Sequence, residues 1–319
     1  MASFYIENFG CRATQADGAA LESQFLDRGL ERARAARDAE IVVLNTCTVT
    51  EGADKDARAS IRRVRRENPD CRILVTGCYA QRAPEELAAL PGVTWVVGNS
   101  HKHRAAEIAT SPDSSSRGFV PLAQLSGNVL AGDSPNKIFV GDIFAHTELL
   151  AAPVFEAANE RTRPNLKVQD GCDNRCSFCV IPYVRGQSRS LPLERVLTEV
   201  RSLVSAGYRE VVISGINLGR WGRDLEGDGV GQTFLSVAVD FPLTKSESKA
   251  TDKGVRPTRS NGNQRFPDLV RALLEQTSLE KLRISSVEPM DWSDELIELM
   301  AASSRIASAS CSERLCPRT

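Results

Sequence analysis

The sequence predicts an α/β protein with a doubly wound parallel-sheet domain at the N-terminus and a second, incomplete array of βα units behind it. Two observations carry this. Short continuous apolar runs alternate with amphipathic segments over the first hundred residues, the pattern of parallel strands buried on both faces beneath helices. The same alternation resumes near residue 166, after an irregular stretch. With 319 residues, 41% of them apolar, the chain is long enough for two cores.

Strands are expected at 3–8, 41–45, 72–76 and 93–97, separated by helical periodicity over 17–28, 53–67 and 84–89. A domain over 1–110 follows. Residues 111–160 lack periodicity and read as a linker. From 161 to 304 the pattern gives strands at 166–169, 210–214 and 281–285 and helices at 192–205 and 293–302. Residues 225–264 interrupt it with Gly, Ser, Thr, Asp and Lys, and read as a disordered insertion in which only 233–239 could pair as a strand. Gly227, Gly229 and Gly231 open no helix and are not a nucleotide loop. The last stretch, 305–319, reads as an aberrant tail.

Forty basic residues against forty-one acidic ones exclude a globally basic nucleic-acid binder, so any surface for phosphate must be local. No run approaches the ~18–20 apolar residues that span a bilayer, and the first residues lack the pattern of an export signal. The expectation is a cytoplasmic protein with no membrane partner. Nine cysteines are then a poor disulfide framework and a better pool of metal ligands, while three histidines weaken any imidazole-based site.

Three cysteines follow strands. Cys11 stands in Phe9-Gly10-Cys11-Arg12, Cys47 in Asn45-Thr46-Cys47-Thr48 and Cys78 in Thr76-Gly77-Cys78-Tyr79. In an open parallel sheet the carboxyl ends of the strands share one edge, where ligands bind, so the three are expected to converge. Each could instead be a small buried apolar residue. Cys71 precedes its strand at the opposite edge and reads as structural.

The second half holds Asp170-Gly-Cys172-Asp-Asn-Arg-Cys176-Ser-Phe178-Cys179, a Cys-x3-Cys-x2-Cys loop behind a strand. Zinc sites pair two such elements or add histidines to reach four ligands. Three clustered thiolates without a fourth suit an iron–sulfur cluster that keeps one iron open.

This loop resembles the signature of radical S-adenosylmethionine (SAM) enzymes. Its context, Lys167-Val-Gln-Asp-Gly-Cys, Phe178-Cys-Val-Ile-Pro-Tyr and Arg185-Gly-Gln-Ser-Arg-Ser, resembles the methylthiotransferase branch, as do Gly10-Cys11-Arg12, Asn45-Thr-Cys-Thr-Val-Thr50 and Thr76-Gly-Cys78. The likeness covers about residues 3–110 and 161–303 and is strongest to the tRNA enzymes acting on N6-threonylcarbamoyladenosine beside the anticodon. The chain departs at Thr14, where the family usually has asparagine. The second array then resembles a partial radical SAM (β/α) barrel, incomplete because further strands and a small RNA-binding domain would follow in the family.

The resemblance implies two [4Fe–4S] clusters. One, on Cys172, Cys176 and Cys179, would bind S-adenosylmethionine and yield a 5′-deoxyadenosyl radical. The other, on Cys11, Cys47 and Cys78, would hold the sulfur inserted at adenine C2. Radical chemistry suits an unactivated aromatic C–H, on which an acid, base or nucleophile has no purchase. The implied partners are tRNA and an electron donor such as a flavodoxin or ferredoxin. Relatives acting on isopentenyladenosine or a ribosomal-protein aspartate remain alternatives, as does a non-catalytic iron–sulfur protein.

Candidate cofactor contacts are Phe178, Gly215 and Asn217 in the turn after the 210–214 strand, and Glu288 after the 281–285 strand. A glycine equally serves a plain strand-to-loop turn, and a solvated loop acid is the alternative reading of Glu288. Arg185, Arg189 and Arg195 are the candidate RNA contacts. Arg58, Arg62, Arg63, Arg65 and Arg66 load one helix and more often mark a solvated face. His101-Lys102-His103 reads as surface, and Cys311 and Cys316 are given no ligand role.

Overall fold

A computed structural model describes residues 2–111, 137–145, 149, 163–225, 264–307 and 310–311. The expectations for Gly227, Gly229, Gly231, the 233–239 strand, Cys316 and most of the linker lie outside these residues.

The first unit runs β1 (Ser3–Asn8), α1 (Arg12–Asp27), β2 (Glu31–Arg32), β3 (Ile41–Thr46), α2 (Glu51–Glu67), β4 (Arg72–Gly77), α3 (Cys78–Arg82), α4 (Pro84–Ala88), β5 (Val93–Gly98), α5 (Ala105–Thr110) and β6 (Ile138–Phe139). Its six strands stand in the order β2-β1-β3-β4-β5-β6, all parallel. Every residue of β3, Ile-Val-Val-Leu-Asn-Thr, is buried, because helices cover both faces. Val42, Leu44, Ile73 and Val75 meet Ala57, Ile61 and Val64 of α2 together with Tyr79 and Leu87. The alternate residues Ile41, Val43 and Leu74 meet Leu21 and Phe25 of α1 and Ile108 of α5. Helix α2 forms where it does because the Thr50 hydroxyl accepts from Ala53 N at 3.2 Å, with Glu51 and Asp54 in the first turn and Arg65 and Arg66 in the last.

The second unit runs β7 (Asn165–Lys167), β8 (Gln169–Asp170), α6 (Ile181–Arg185), β9 (Arg189–Ser190), α7 (Leu193–Ser205), β10 (Glu210–Ser214), α8 (Phe266–Gln276), β11 (Lys281–Ile284), β12 (Ser286–Val287), α9 (Asp294–Ala302), β13 (Ile306–Ala307) and β14 (Ser310–Cys311). A parallel sheet orders β13-β11-β10-β7, β8 pairs antiparallel with β9, and β12 pairs parallel with β14. Val196, Leu197, Val200 and Leu203 of α7 and Phe266, Leu269, Val270 and Leu273 of α8 pack on the apolar faces of β10 and β11.

Two expectations change. The start of the supposed tail supplies β13, a fourth strand of the sheet, and β14 beside β12. Two-residue strands carry no readable periodicity; tertiary pairing makes them. Arg305 fixes the entry to β13 by donating to the carbonyls of Leu274 at 2.5 Å and Thr277 at 3.0 Å, where α8 ends. Helix α8 itself, just past the supposed insertion, was not expected. Among the described residues no helix is long and apolar enough to cross a membrane.

Candidate functional site

Cys11 caps α1, Cys47 follows β3 and Cys78 opens α3. Because β1, β3 and β4 are neighbours, the three stand at adjacent carboxyl ends, around the β1/β3 position where the strand order reverses. Gly10 has φ +99°, and a Cβ there would lie 2.7 Å from Cys47 Cβ and 2.9 Å from its Sγ, so the turn carrying Cys11 rests directly on Cys47. The Cys11 sulfur lies 3.6 Å from Thr14 Oγ1, and Asn99 Nδ2 donates toward Cys78 Sγ at 3.6 Å. Burial raises the Cys47 thiol pKa, and the neighbouring Cys78 and Cys11 raise it further. Packing around Cys11 also raises its thiol, but the Arg185 guanidinium and hydrogen bonds from Thr14 and Ala13 more than offset this and hold it below its usual value.

All three are free thiols. No three His, Cys, Asp or Glu side chains among the described residues gather closely enough to hold a single metal ion. In an iron–sulfur cube the thiolates bind separate irons, so its ligands need not converge on one ion. The Thr48 and Thr76 hydroxyls, one and two residues from Cys47 and Cys78 in sequence, are buried with no protein partner, which leaves polar groups for a bound centre to satisfy. The donor set fits an iron–sulfur cluster. Cys71 is buried at the other edge, ahead of β4. Cys71→Ala should leave iron per chain unchanged while costing about 1 kcal/mol of stability, measured by denaturant unfolding.

The second trio occupies the loop between β8 and α6. Gly171 has φ +71°, and a Cβ there would overlap the Gln187 carbonyl; this tight turn lets Cys172 N reach Gly186 O at 3.1 Å. Cys179 N donates to Cys176 O at 3.1 Å, closing the last turn of the loop. Asn217, buried after β10, donates through Nδ2 toward Cys172 Sγ at 3.7 Å, while its backbone N is held by Gln169 Oε1 at 2.7 Å. Asn217 Oδ1 and Ser214 Oγ are buried without a protein partner at this strand end, which leaves polar groups for a cofactor to satisfy. Gly215 packs against Gln169, where a Cβ would stand 2.9 Å from Oε1, so its evident task is the turn. Phe178 is 59% exposed. Glu288 is half-buried after β12.

Between the trios lies a buried ion network. Asp17 of α1 pairs with Lys102 at 3.0 Å, with Arg185 at 3.0 Å and with Lys167. Asp170 pairs with Lys167 at 3.0 Å and receives both a 2.9 Å and a 3.1 Å bond from Arg185 Nη1. Asp17 and Lys102 come from the first unit and the other three from the second, so the network is also the seam between them. Burial alone would raise the pKa of both carboxyls, but Lys102, Lys167 and Arg185 around Asp17, and Arg185 and Lys167 around Asp170, hold both well below the usual carboxylate range. Asn99 crosses the same seam, donating to Val184 O of α6 at 2.6 Å.

Three sequence readings are corrected here. Arg185, 2% exposed, and Arg189, also buried, are committed to this seam, where Arg189 donates to the Arg185 carbonyl at 2.8 Å; neither presents a guanidinium to phosphate. Lys102, 2% exposed, is not surface but part of the network. A charged residue beside two histidines gives no hint of such burial without its distant partners. Arg195 is exposed and near Glu199. On α2, Arg58 and Arg63 are engaged by Glu86 and Glu7 at 2.7 Å each. Asp17, Lys102, Lys167 and Asp170 went unread as functional residues, although the last two flank the cysteine loop.

Comparison with known proteins decides the family. Residues 3–98 match an uncharacterized protein family, UPF0004, and residues 166–218 match the radical SAM superfamily. The threonylcarbamoyladenosine tRNA methylthiotransferase MtaB of Bacillus subtilis is 33% identical over 96% of this chain and 56% of its own length. The chain belongs to the radical SAM methylthiotransferase family. The Aquifex aeolicus protein of the same name is 38% identical over 68% of this chain and 48% of its own length, and the tRNA-2-methylthio-N(6)-dimethylallyladenosine synthase of Sphingopyxis alaskensis is 28% identical over 92% and 55%. The chain thus spans about half the length of the curated methylthiotransferases it matches. Among solved structures, the radical S-adenosylmethionine methyltransferase TsrM of Kitasatospora setae, with cobalamin and a [4Fe-4S] cluster bound, superposes with a TM-score of 0.54 at 16% identity, over 98% of this chain and 59% of that one, a likeness of fold alone. The family's radical SAM half carries a [4Fe–4S] cluster with S-adenosylmethionine.

Proposed function

We propose that this chain takes part in methylthiolation of tRNA at C2 of N6-threonylcarbamoyladenosine next to the anticodon, with two [4Fe–4S] clusters and S-adenosylmethionine. The observation that carries the reading is the pair of all-cysteine trios, the first at the carboxyl ends of parallel strands and the second in the loop after β8, both bordering one seam that Asn99 bridges from Cys78 to α6. Names carried by the relatives at 33% and 38% identity favour this nucleoside over the dimethylallyl one.

Cys172, Cys176 and Cys179 would hold the cluster that cleaves S-adenosylmethionine, and Cys11, Cys47 and Cys78 the cluster that supplies sulfur; together they provide radical and sulfur-transfer chemistry that no side chain here offers. The chain's own residues do the positioning. Asn217 orients Cys172 through its amide, and Gln169 in turn holds Asn217. Asn217 Oδ1 and Ser214 Oγ offer polar contacts to the cofactor, with Phe178 in the cysteine loop and Glu288 after β12 as further contacts. The reductant is a low-potential donor such as a flavodoxin or ferredoxin.

Anaerobically reconstituted protein, incubated with S-adenosylmethionine, reductant and tRNA lacking the modification, should yield methylthiolated threonylcarbamoyladenosine in nucleoside digests read by mass spectrometry. Product only on isopentenyladenosine, or only on ribosomal protein, would replace this substrate with another. S-adenosylmethionine cleavage without any methylthio product would favour an iron–sulfur protein that does not perform the transfer.

A further inference from the structure

The seam network is not neutral. Lys102, Lys167 and Arg185 bring three positive charges and Asp17 and Asp170 two negative ones, all five buried. Arg189 and the nearby Asp224 add one of each sign and leave the balance unchanged. A net buried cation is costly unless an anion faces it. Among the described residues, this network reaches toward the first cysteine trio through two contacts. Arg185 Nη2 lies 3.4 Å from Thr14 Oγ1, which lies 3.6 Å from Cys11 Sγ, and Asn45, whose Oδ1 accepts from Lys102 Nζ at 3.3 Å, is the penultimate residue of the strand that presents Cys47. Arg185 is within electrostatic reach of Cys78 and Cys11; burial lowers the Lys102 pKa, with Asp17 and Cys78 acting to hold its proton, and the bond to Asp17 at 3.0 Å keeps it in the network.

We propose that this surplus positive charge is the counter-charge of the anionic centre on Cys11, Cys47 and Cys78, delivered across the seam by Arg185 of the second unit, and that it sets the reduction potential of the cluster held there. The inference rests on the cluster reading above and goes beyond it: the first trio is electrostatically complete only when the second unit is docked. Thr14 provides the hydroxyl between guanidinium and thiol. An arginine cannot lose its proton under any working condition, so the charge is fixed. Reduction adds one electron to an already anionic centre, so a neighbouring positive charge favours the reduced state.

The test uses the full chain with Cys172, Cys176 and Cys179 replaced by alanine, so that iron and the electron paramagnetic resonance signal report the first trio alone. Arg185→Gln removes one positive charge and should lower the midpoint potential by at least the equivalent of tenfold in the reduction equilibrium, about 59 mV for one electron. Lys102→Gln should lower it as well. Asp17→Asn adds a net positive charge at nearly constant shape and should raise it. Damage to packing alone would move all three variants in the same direction. Should Arg185→Gln fail to fold, the opposite signs of Lys102→Gln and Asp17→Asn still decide. Potentials that stay within a few millivolts of the parent, or that shift with one common sign, overturn the counter-charge. A parent chain that binds no iron overturns the cluster reading itself, and this proposal with it.

Discussion

Cys172→Ala will abolish S-adenosylmethionine cleavage and remove about four irons from the reconstituted chain, leaving the about four bound at the other trio. Cys172 is the buried member of its loop, held by Gly186 O through its backbone and approached by the Asn217 amide through its sulfur, so no neighbouring group can take its place. Iron and sulfide analysis together with 5′-deoxyadenosine detection by liquid chromatography reads both effects. Cys78→Ala should show the complementary pattern: half the iron lost, but 5′-deoxyadenosine still formed. If Cys172→Ala kept all its iron, the loop would not be a cluster site.

Lys167→Met should cost about 3–5 kcal/mol of folding stability, because it strips a fully buried ammonium from two buried carboxylates and takes away the ion-pair hydrogen bonds that both accept from it. Its two partners come from different units, so the loss should appear as undocking of the seam, with new protease cleavage around the second cysteine loop, before either sheet unfolds. Urea unfolding of the variant measures the cost. A change under 1 kcal/mol would mean that the network is solvated and not the seam's main polar tie. The pH dependence has a definite sign. Asp17 and Asp170 titrate below their unfolded values, so their stabilisation is fully present above the ordinary carboxylate pKa of about 3.9 and is lost as pH falls through the depressed values. Lys167 titrates above its ordinary value, because its carboxylate partners outweigh the burial that would lower it; its share persists below about 10.4 and fades as pH rises through the raised value. The stability gap between the parent and Lys167→Met should therefore be flat from about pH 5 to 9 and narrow in strong acid.

Much of this fold was legible in the residues, and the reasons are physical. Buried parallel strands such as Ile41–Thr46 and Arg72–Gly77 are continuous apolar runs, and helices such as Leu193–Ser205 show one apolar stripe, so both announce themselves locally. The placement of Cys11, Cys47 and Cys78 along one sheet edge could be read from sequence because parallel topology alone puts the ends of β1, β3 and β4 there. What was illegible depends on partners distant in sequence. Arg185 and Arg189 look like phosphate ligands in a one-dimensional reading, and Lys102 like surface; each is buried because a carboxylate or carbonyl from elsewhere receives it, Asp17 lying 168 positions before Arg185. Strand β13 was hidden for the same reason, since pairing with β11 rather than its own composition makes it a strand. Gly215 was ambiguous until Gln169 was seen to fill the space beside it.

Mössbauer spectroscopy of oxygen-free, ⁵⁷Fe-reconstituted protein most directly tests the central claim that both cysteine trios hold iron cubes. The account predicts two [4Fe–4S] signals of equal area, one removed by Cys172→Ala and the other by Cys78→Ala. Stoichiometric zinc, disulfide-linked cysteines or unmetallated thiols at either trio would contradict it.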